Sequence, residues 1–202
     1  FVDVPVEALL QRAYLNAIAS RIQKNKTSEP ASYGSASQLP GDSGTCHLCV
    51  IDCDGMVVAV TETINTSFGS QVLVEPYDFV LNNEMDDFSS KKGVPNAYGL
   101  VGFEANEIKA QKRPLSSMTP TIVFKNQKPY LVLGSPGGSR IITTVLQVVI
   151  NVLEHDMNIK QAVISPRIHH QWLPDVLLME EGFSSDTIDL LKEKGHTIRP
   201  SR

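Results

Sequence analysis

The sequence predicts a layered α/β protein, and three observations carry that prediction. Strand-like alternation is concentrated between about His47 and Gly134, helical periodicity flanks that block on both sides, and the composition is globular. With 202 residues, 42% hydrophobic and 20% charged, the chain fits one ordinary domain with a substantial core. A net charge of −4 and the lack of any long Lys/Arg block argue against nucleic acid or an anionic membrane as partner. The longest apolar run, Val145 to Leu153, is too short to span a bilayer and is interrupted by Gln147 and Asn151. The chain opens on Phe1-Val2-Asp3, without a methionine or a signal-peptide pattern, and reads as a fragment that carries no targeting information.

The elements follow in order. Asp3-Val4-Pro5 offers a capping carboxylate and a first-turn proline, and Val6, Leu10, Tyr14, Ile18 and Ile22 then form one apolar stripe. From Lys24 to Ser43 the composition turns to Ser, Gly, Pro, Lys and Thr, the signature of a mobile linker that is easily cut. His47–Asp52 and Met56–Thr63 flank Cys53-Asp54-Gly55, where Asp-Gly signals a hairpin. A second hairpin is expected from Thr121–Phe124 and Tyr130–Gly134, turning at Asn126-Gln127, with a further strand over Asp78–Met85 and mostly loop from Ser89 to Pro114. After Gly138, the residues Ile141, Ile142, Val145, Leu146, Val149, Ile150 and Leu153 share one broad helical face. A short helix over Ile159–Ile164 stops before Pro166. A last helix, Thr187–Lys194, is capped by Ser184 or Ser185 and ends at Gly195.

Several segments have the chemistry of sites. Thr45 follows Gly44 directly after the linker. If the bond between them is cut, the freed α-amine lies beside the threonine hydroxyl and can serve as its base, since such amines titrate near pH 7.7–8. Pro136-Gly137-Gly138-Ser139 joins a strand to a helix: it is either a tight turn or a nest of N–H groups, better suited to an oxyanion than to phosphate because no lysine follows. The acidic knot Asn82-Asn83-Glu84-Met85-Asp86-Asp87 is either a solvated loop or a site for a cation or ammonium group. Ser116 and Ser117, next to Lys112-Arg113-Pro114, either form a turn or hold a carboxylate. Cys46, Cys49 and Cys53 lack the second cysteine pair of a zinc site, and Cys46 and Cys49 would point to opposite strand faces. The adjacent His169 and His170 likewise point apart, which favours packing and hydrogen bonding over chelation. No metal site is expected.

Taken together, Thr45-Cys46-His47, Thr63-Ile64-Asn65, Leu81–Phe88, Arg113–Met118, Gly134–Ser139 and His170–Pro174 resemble the γ-glutamyltransferases, also called glutathione hydrolases, of the N-terminal-nucleophile hydrolase superfamily. The resemblance runs from the first helix to the end of the chain. It implies an αββα four-layer sandwich, incomplete here, divided into residues 1–44, the end of a large subunit, and 45–202, a small-subunit catalytic region truncated at its C-terminus. It implies self-cleavage between Gly44 and Thr45, attack by Thr45 on γ-glutamyl amides, and support of that nucleophile by Thr63. Gly137 and Gly138 would stabilise the oxyanion. Asn65, Glu84 and Asp87 would receive the α-ammonium, and Ser116 and Ser117 the α-carboxylate. No cofactor is implied. The expected partners are glutathione or another γ-glutamyl compound, an amino acid or dipeptide acceptor, and the large subunit of the same precursor; the expected location is periplasmic or extracellular. Three departures stand out: the large subunit is almost wholly absent, with its carboxylate-pairing arginine; the chain stops before the last strands expected after Thr197-Ile198; and Cys46 replaces the threonine common in bacterial relatives. A related acylase, a poly-γ-glutamate transacylase, or an inactive light-chain-like protein are the alternatives.

Overall fold

The computed structural model describes residues 3–29, 44–91 and 93–201. The expected linker therefore lies largely outside the described residues. The single N-terminal helix predicted from the apolar stripe is two helices, α1 (Val6–Leu10) and α2 (Arg12–Ala19), separated by an extended Gln11 with φ −63° and ψ 130°. Pro5, not Asp3, occupies the cap position, and no side chain caps α1. Packing explains the break: neither helix buries a residue, and helices this short are marginal without a partner for their apolar face.

The two expected hairpins form. Strands β1 (Thr45–Ile51) and β2 (Val57–Thr63) pair antiparallel from Thr45↔Thr63 to Ile51↔Val57. Asp52 organises the turn, its carboxylate accepting from Asp54 N at 3.0 Å and Met56 N at 2.8 Å, while Gly55 supplies a φ of +85°. The extended run predicted over Asp78–Met85 is a strand only at β4 (Phe79–Val80), which pairs with the unpredicted β3 (Leu73–Val74). Asn82 Oδ1 accepts from Glu84 N at 3.0 Å and bends the chain into a 3₁₀ turn over Glu84–Asp87. Loop structure then dominates to Pro114, with one more 3₁₀ turn over Glu104–Asn106. Strands β5 (Thr121–Lys125) and β6 (Lys128–Leu133) turn at Asn126 and Gln127, both at positive φ, and carry a bulge at Val123/Phe124. This hairpin packs against β2.

Helix α3 (Ile141–Leu153), entered through a 3₁₀ turn at Gly138–Arg140, buries Ile141, Val145 and Val148. The broad face predicted for it is only half covered: Ile142 and Leu146 remain 49% and 53% exposed. Helix α4 (Ile159–Ile164) starts from an Asn158–Gln161 capping box, and α5 (Ser185–Glu193) from Ser184, whose hydroxyl accepts from Thr187 N. A three-stranded sheet of β7 (Ile168–His169), β8 (Leu177–Met179) and β9 (Ile198–Pro200) was not legible beforehand. Central β8 is buried at all three positions, so it shows no alternation, and its neighbours are too short to show any. Strand β9, parallel to β8, follows Thr197 directly, so a strand begins within the chain where the expectation set the last ones beyond it. The result is an α/β fold whose strands pair, among the described residues, as four small sheets. None of the described helices is long and apolar enough to cross a membrane.

Candidate active site

Hairpin register brings the first two site residues together. Thr45 and Thr63 are direct cross-strand partners, and Thr45 Oγ1 lies 3.1 Å from Thr63 Oγ1. Thr63 Oγ1 also donates to Gly44 O at 3.1 Å and accepts from Asn65 N at 2.8 Å. Gly44 is confined here, because a Cβ on it would lie 2.3 Å from Asn65 O. Asn65, 2% exposed with φ +74°, turns the chain out of β2 and donates from Nδ2 to Asn83 O at 3.2 Å. Thr66 binds the side chain of Asn83 through both its N–H and its hydroxyl. The nucleophile hairpin and the acidic knot are thus tied by Asn83.

Within the knot the carboxylates separate by role. Asp86 accepts from Ala97 N at 2.9 Å and so anchors the next loop. Glu84 and Asp87 share a side-chain hydrogen bond, and one Glu84 oxygen, Oε1, is buried without a partner among the described residues. Burial first, and then the charges of Asp87 and Asp86, push the Glu84 carboxyl up to about 7. Burial also raises Asp87, opposed by its bond to Glu84. The pair therefore holds negative charge in a desolvated place, a site that a cation would relieve.

The glycine pair sits opposite. Gly137 (φ +138°) and Gly138 (φ +55°) adopt conformations that disfavour other residues, and a Cβ on Gly138 would come 2.7 Å from the Tyr98 ring. Tyr98 went unnoticed in the sequence. It is 8% exposed, and its hydroxyl donates to Asn65 O at 2.7 Å. Gln171 completes the frame: Ser139 Oγ donates to its Oε1 at 2.7 Å, and its Nε2 donates to Tyr98 O at 3.1 Å and Leu173 O at 3.2 Å. Beneath it His169 contacts Gln171 and Thr143, and burial pushes its pKa down, Arg140 and His170 adding to the effect while the Gln171 contact opposes it. His170 instead binds Asp175 at 3.0 Å, so the two histidines serve separate networks, as their alternation predicted.

One small cleft collects Thr45, Thr63, Asn65, Asp87, Ser116, Ser117 and Gly138, with a volume near 30 Å³, about the share of one water. Leu115 N donates to Asn106 Oδ1 at 2.9 Å, which pins the serine segment in place. Two expected residues lie off this cleft. Glu84 stands behind Asp87, and Gly137 faces a separate groove with His47, Cys49 and Arg140. All three cysteines are exposed free thiols, and the described residues contain no cluster of His, Cys, Asp and Glu suited to a metal.

A threonine paired across a hairpin with a second hydroxyl, in an α/β frame with an adjacent glycine turn, fits the N-terminal-nucleophile class of hydrolase. The chain belongs to the γ-glutamyltranspeptidase family, whose model matches residues 1–202. It is 52% identical over 199 residues to the glutathione hydrolase proenzyme of Escherichia coli, covering 98% of this chain and 34% of that protein. A solved γ-glutamyltranspeptidase from Helicobacter pylori superposes with a TM-score of 0.75 at 58% identity, over 77% of this chain and 84% of that one. The Bacillus anthracis transpeptidase CapD shares the fold, with a TM-score of 0.59 at 22% identity over 78% of both chains. The chain spans about a third of the length of the curated relatives it matches.

Proposed function

We propose that this chain is the processing and catalytic region of a γ-glutamyltransferase/glutathione hydrolase. The observation that carries the proposal is the convergence of Thr45, Thr63, Asp87, Ser116, Ser117 and Gly138 on one cleft. Residues 1–44 end a large subunit, 45–202 form the catalytic small-subunit region, and the two remain associated after the cut. Thr45, as a new amino terminus, uses its α-amine as general base and attacks the γ-carbonyl of glutathione or a related amide. The N–H groups of Gly137 and Gly138 receive the developing oxyanion. The carboxylate pair Glu84/Asp87 with Asn65 holds the α-ammonium, and Ser116 with Ser117 holds the α-carboxylate. Water or an amino acid or peptide amine then takes the acyl group from Thr45. The cleft must widen to admit a donor. We further propose that this activity lies in the periplasm, outside the cell or at its surface, which fractionation of cells expressing the full-length gene product would test.

Intact mass measurement tests the reading directly. Products meeting at Gly44/Thr45, and a γ-glutamyl ester on Thr45 after brief exposure to glutathione, are expected. An uncut chain that turns over glutathione, or a cut chain that never acylates, refutes it.

A further inference from the structure

The segment His170–Pro174 carries part of the family resemblance, yet none of its residues lines the cleft of Thr45. Gln171 nevertheless reaches two of the cleft's walls from behind. Its Nε2 donates to Tyr98 O at 3.1 Å and to Leu173 O at 3.2 Å. Both carbonyls can only accept, so both amide hydrogens are used there and Oε1 faces the other way. On that side Oε1 meets the Ser139 hydroxyl at 2.7 Å and His169 Nε2 at 3.1 Å. An amide oxygen only accepts, so Ser139 donates to it and His169 carries a proton on Nε2. All four hydrogen-bonding positions of the amide are filled, and the partners fix its orientation. Tyr98, Gly138 and Ser139 line the cleft, and the Tyr98 ring backs onto Gly138, where a Cβ would come 2.7 Å from it. The contacts therefore close a ring: Gly138 to the Tyr98 ring, Tyr98 O to the Gln171 amide, the amide to Ser139 Oγ, and Ser139 back along the chain to Gly138. With no side chain of its own and φ +55°, Gly138 takes the direction of its N–H from such neighbours. The residues assigned to the donor's α-end are held by a different amide. Asn106 donates from Nδ2 to Asp87 O at 2.7 Å and accepts Leu115 N on Oδ1 at 2.9 Å, just ahead of Ser116 and Ser117. None of the four partners of Gln171 belongs to that bracket.

We propose that Gln171 is a positioning residue of acyl transfer: its amide clamps the Tyr98 wall to the glycine turn and so aims the Gly138 N–H at the developing oxyanion. The proposal rests on the γ-glutamyl transfer reading above and adds no group that touches the substrate. The oxyanion forms only in the transition states, so loosening the clamp weakens an interaction absent from the bound donor. Formation and breakdown of the acyl-enzyme both pass through such an oxyanion. A loosened clamp slows both and leaves their ratio, and with it KM, nearly unchanged. Loosening the Asn106 bracket does the reverse, because it disturbs the groups that hold the α-ammonium and α-carboxylate in ground and transition state alike.

The test uses the full-length gene product, with rates normalised to the free Thr45 amino terminus counted by intact mass, so that slow maturation is not read as slow turnover. Ser139→Ala opens the arm to the glycine turn. Gln171→Glu keeps an acceptor toward Ser139 and His169 but sets an oxygen against Tyr98 O. Asn106→Ala opens the other bracket. Ser139→Ala and Gln171→Glu are each expected to lower kcat about 10–100-fold, the scale of a misplacement near 1 Å, with KM for glutathione within about threefold of wild type. Their double variant is expected to lose no more than the larger single loss, since the clamp is open once either arm is gone. Asn106→Ala is expected to raise KM at least about tenfold with kcat within about threefold. Single losses that multiply in the double variant, a KM that rises as far as kcat falls, or kcat within about threefold of wild type in both single variants overturns the clamp. If Gln171→Glu does not mature, Ser139→Ala decides by its own kcat and KM. Asn106→Ala that lowers kcat and leaves KM alone overturns the separation of the two brackets. A matured wild-type protein that never turns over glutathione overturns the transfer reading instead, a distinct result.

Discussion

Thr45 is the residue on which both steps converge. Thr45→Ala is expected to abolish cutting and turnover together, checked by intact mass and by release of the donor's leaving amine. Glu84 carries a pH signature. Its folded pKa, raised to about 7 from an ordinary 4.5, means the folded state binds the extra proton between those values. Stability therefore falls as pH rises through that window. Glu84→Gln is expected to melt above wild type at pH 8, the difference vanishing below about pH 4.5 where both states are protonated. In function the sign reverses. Below about 7 the pair carries less negative charge, so kcat/KM for a γ-glutamyl donor should fall as pH drops, and Glu84→Gln should raise KM above about pH 7 and converge on wild type well below it. A wild-type KM that is flat from about pH 5 to 8 would remove Glu84 from ammonium binding. The hairpin is legible in the sequence through its Asp-Gly turn, but the partnership of Thr63 with Thr45 follows there only from the family resemblance, because the first strand starts at Thr45 and not at His47. Tyr98 was not: it is a single aromatic in a loop, and its frame depends on Gln171, 73 residues away.

At the scale of elements, the glycine turn and the helix caps make opposite predictions. Gly138→Ala places a Cβ against the Tyr98 ring and forces a left-handed φ on alanine. About 1–2 kcal/mol of strain and a kcat loss near 10²-fold are expected, read by thermal melting and steady-state kinetics. Asn158→Ala removes the side-chain half of the capping box at α4, which does not line the cleft, and should cost about 1 kcal/mol while leaving kcat and KM unchanged. Hairpins and the last helices were legible because their signals are local: Asp-Gly, Pro166 after α4, and Ser184 and Gly195 around α5. The β7–β8–β9 sheet was not, since a strand buried on both faces loses the alternation that marks it. The broken N-terminal helix failed for a related reason. Its stripe encodes a partner surface, and without that surface the pattern does not guarantee a continuous helix.

For the whole molecule, the exposed apolar faces indicate what is still to be covered. Tyr14, Leu15 and Ile18 on α2 are 44%, 50% and 43% exposed, and Ile142 and Leu146 on α3 are 49% and 53% exposed. Helices apolar on two sides are ordinarily buried on two sides. Each is already about half covered, so completing its burial is worth roughly 1 kcal/mol, and a handful of them is comparable with the lower end of a typical domain's stability. Because the chain spans about a third of its relatives' length, we propose that the remainder of the longer precursor lies on these stripes. Residues 1–202 expressed alone should then bind a hydrophobic dye strongly and self-associate in sedimentation, and co-expression with the remaining chain should suppress both. Ile142→Glu with Leu146→Glu separates this from general stickiness. The double variant should make residues 1–202 more monomeric while weakening their capture of the remainder. Capture at wild-type strength would mean that the α3 stripe faces something else.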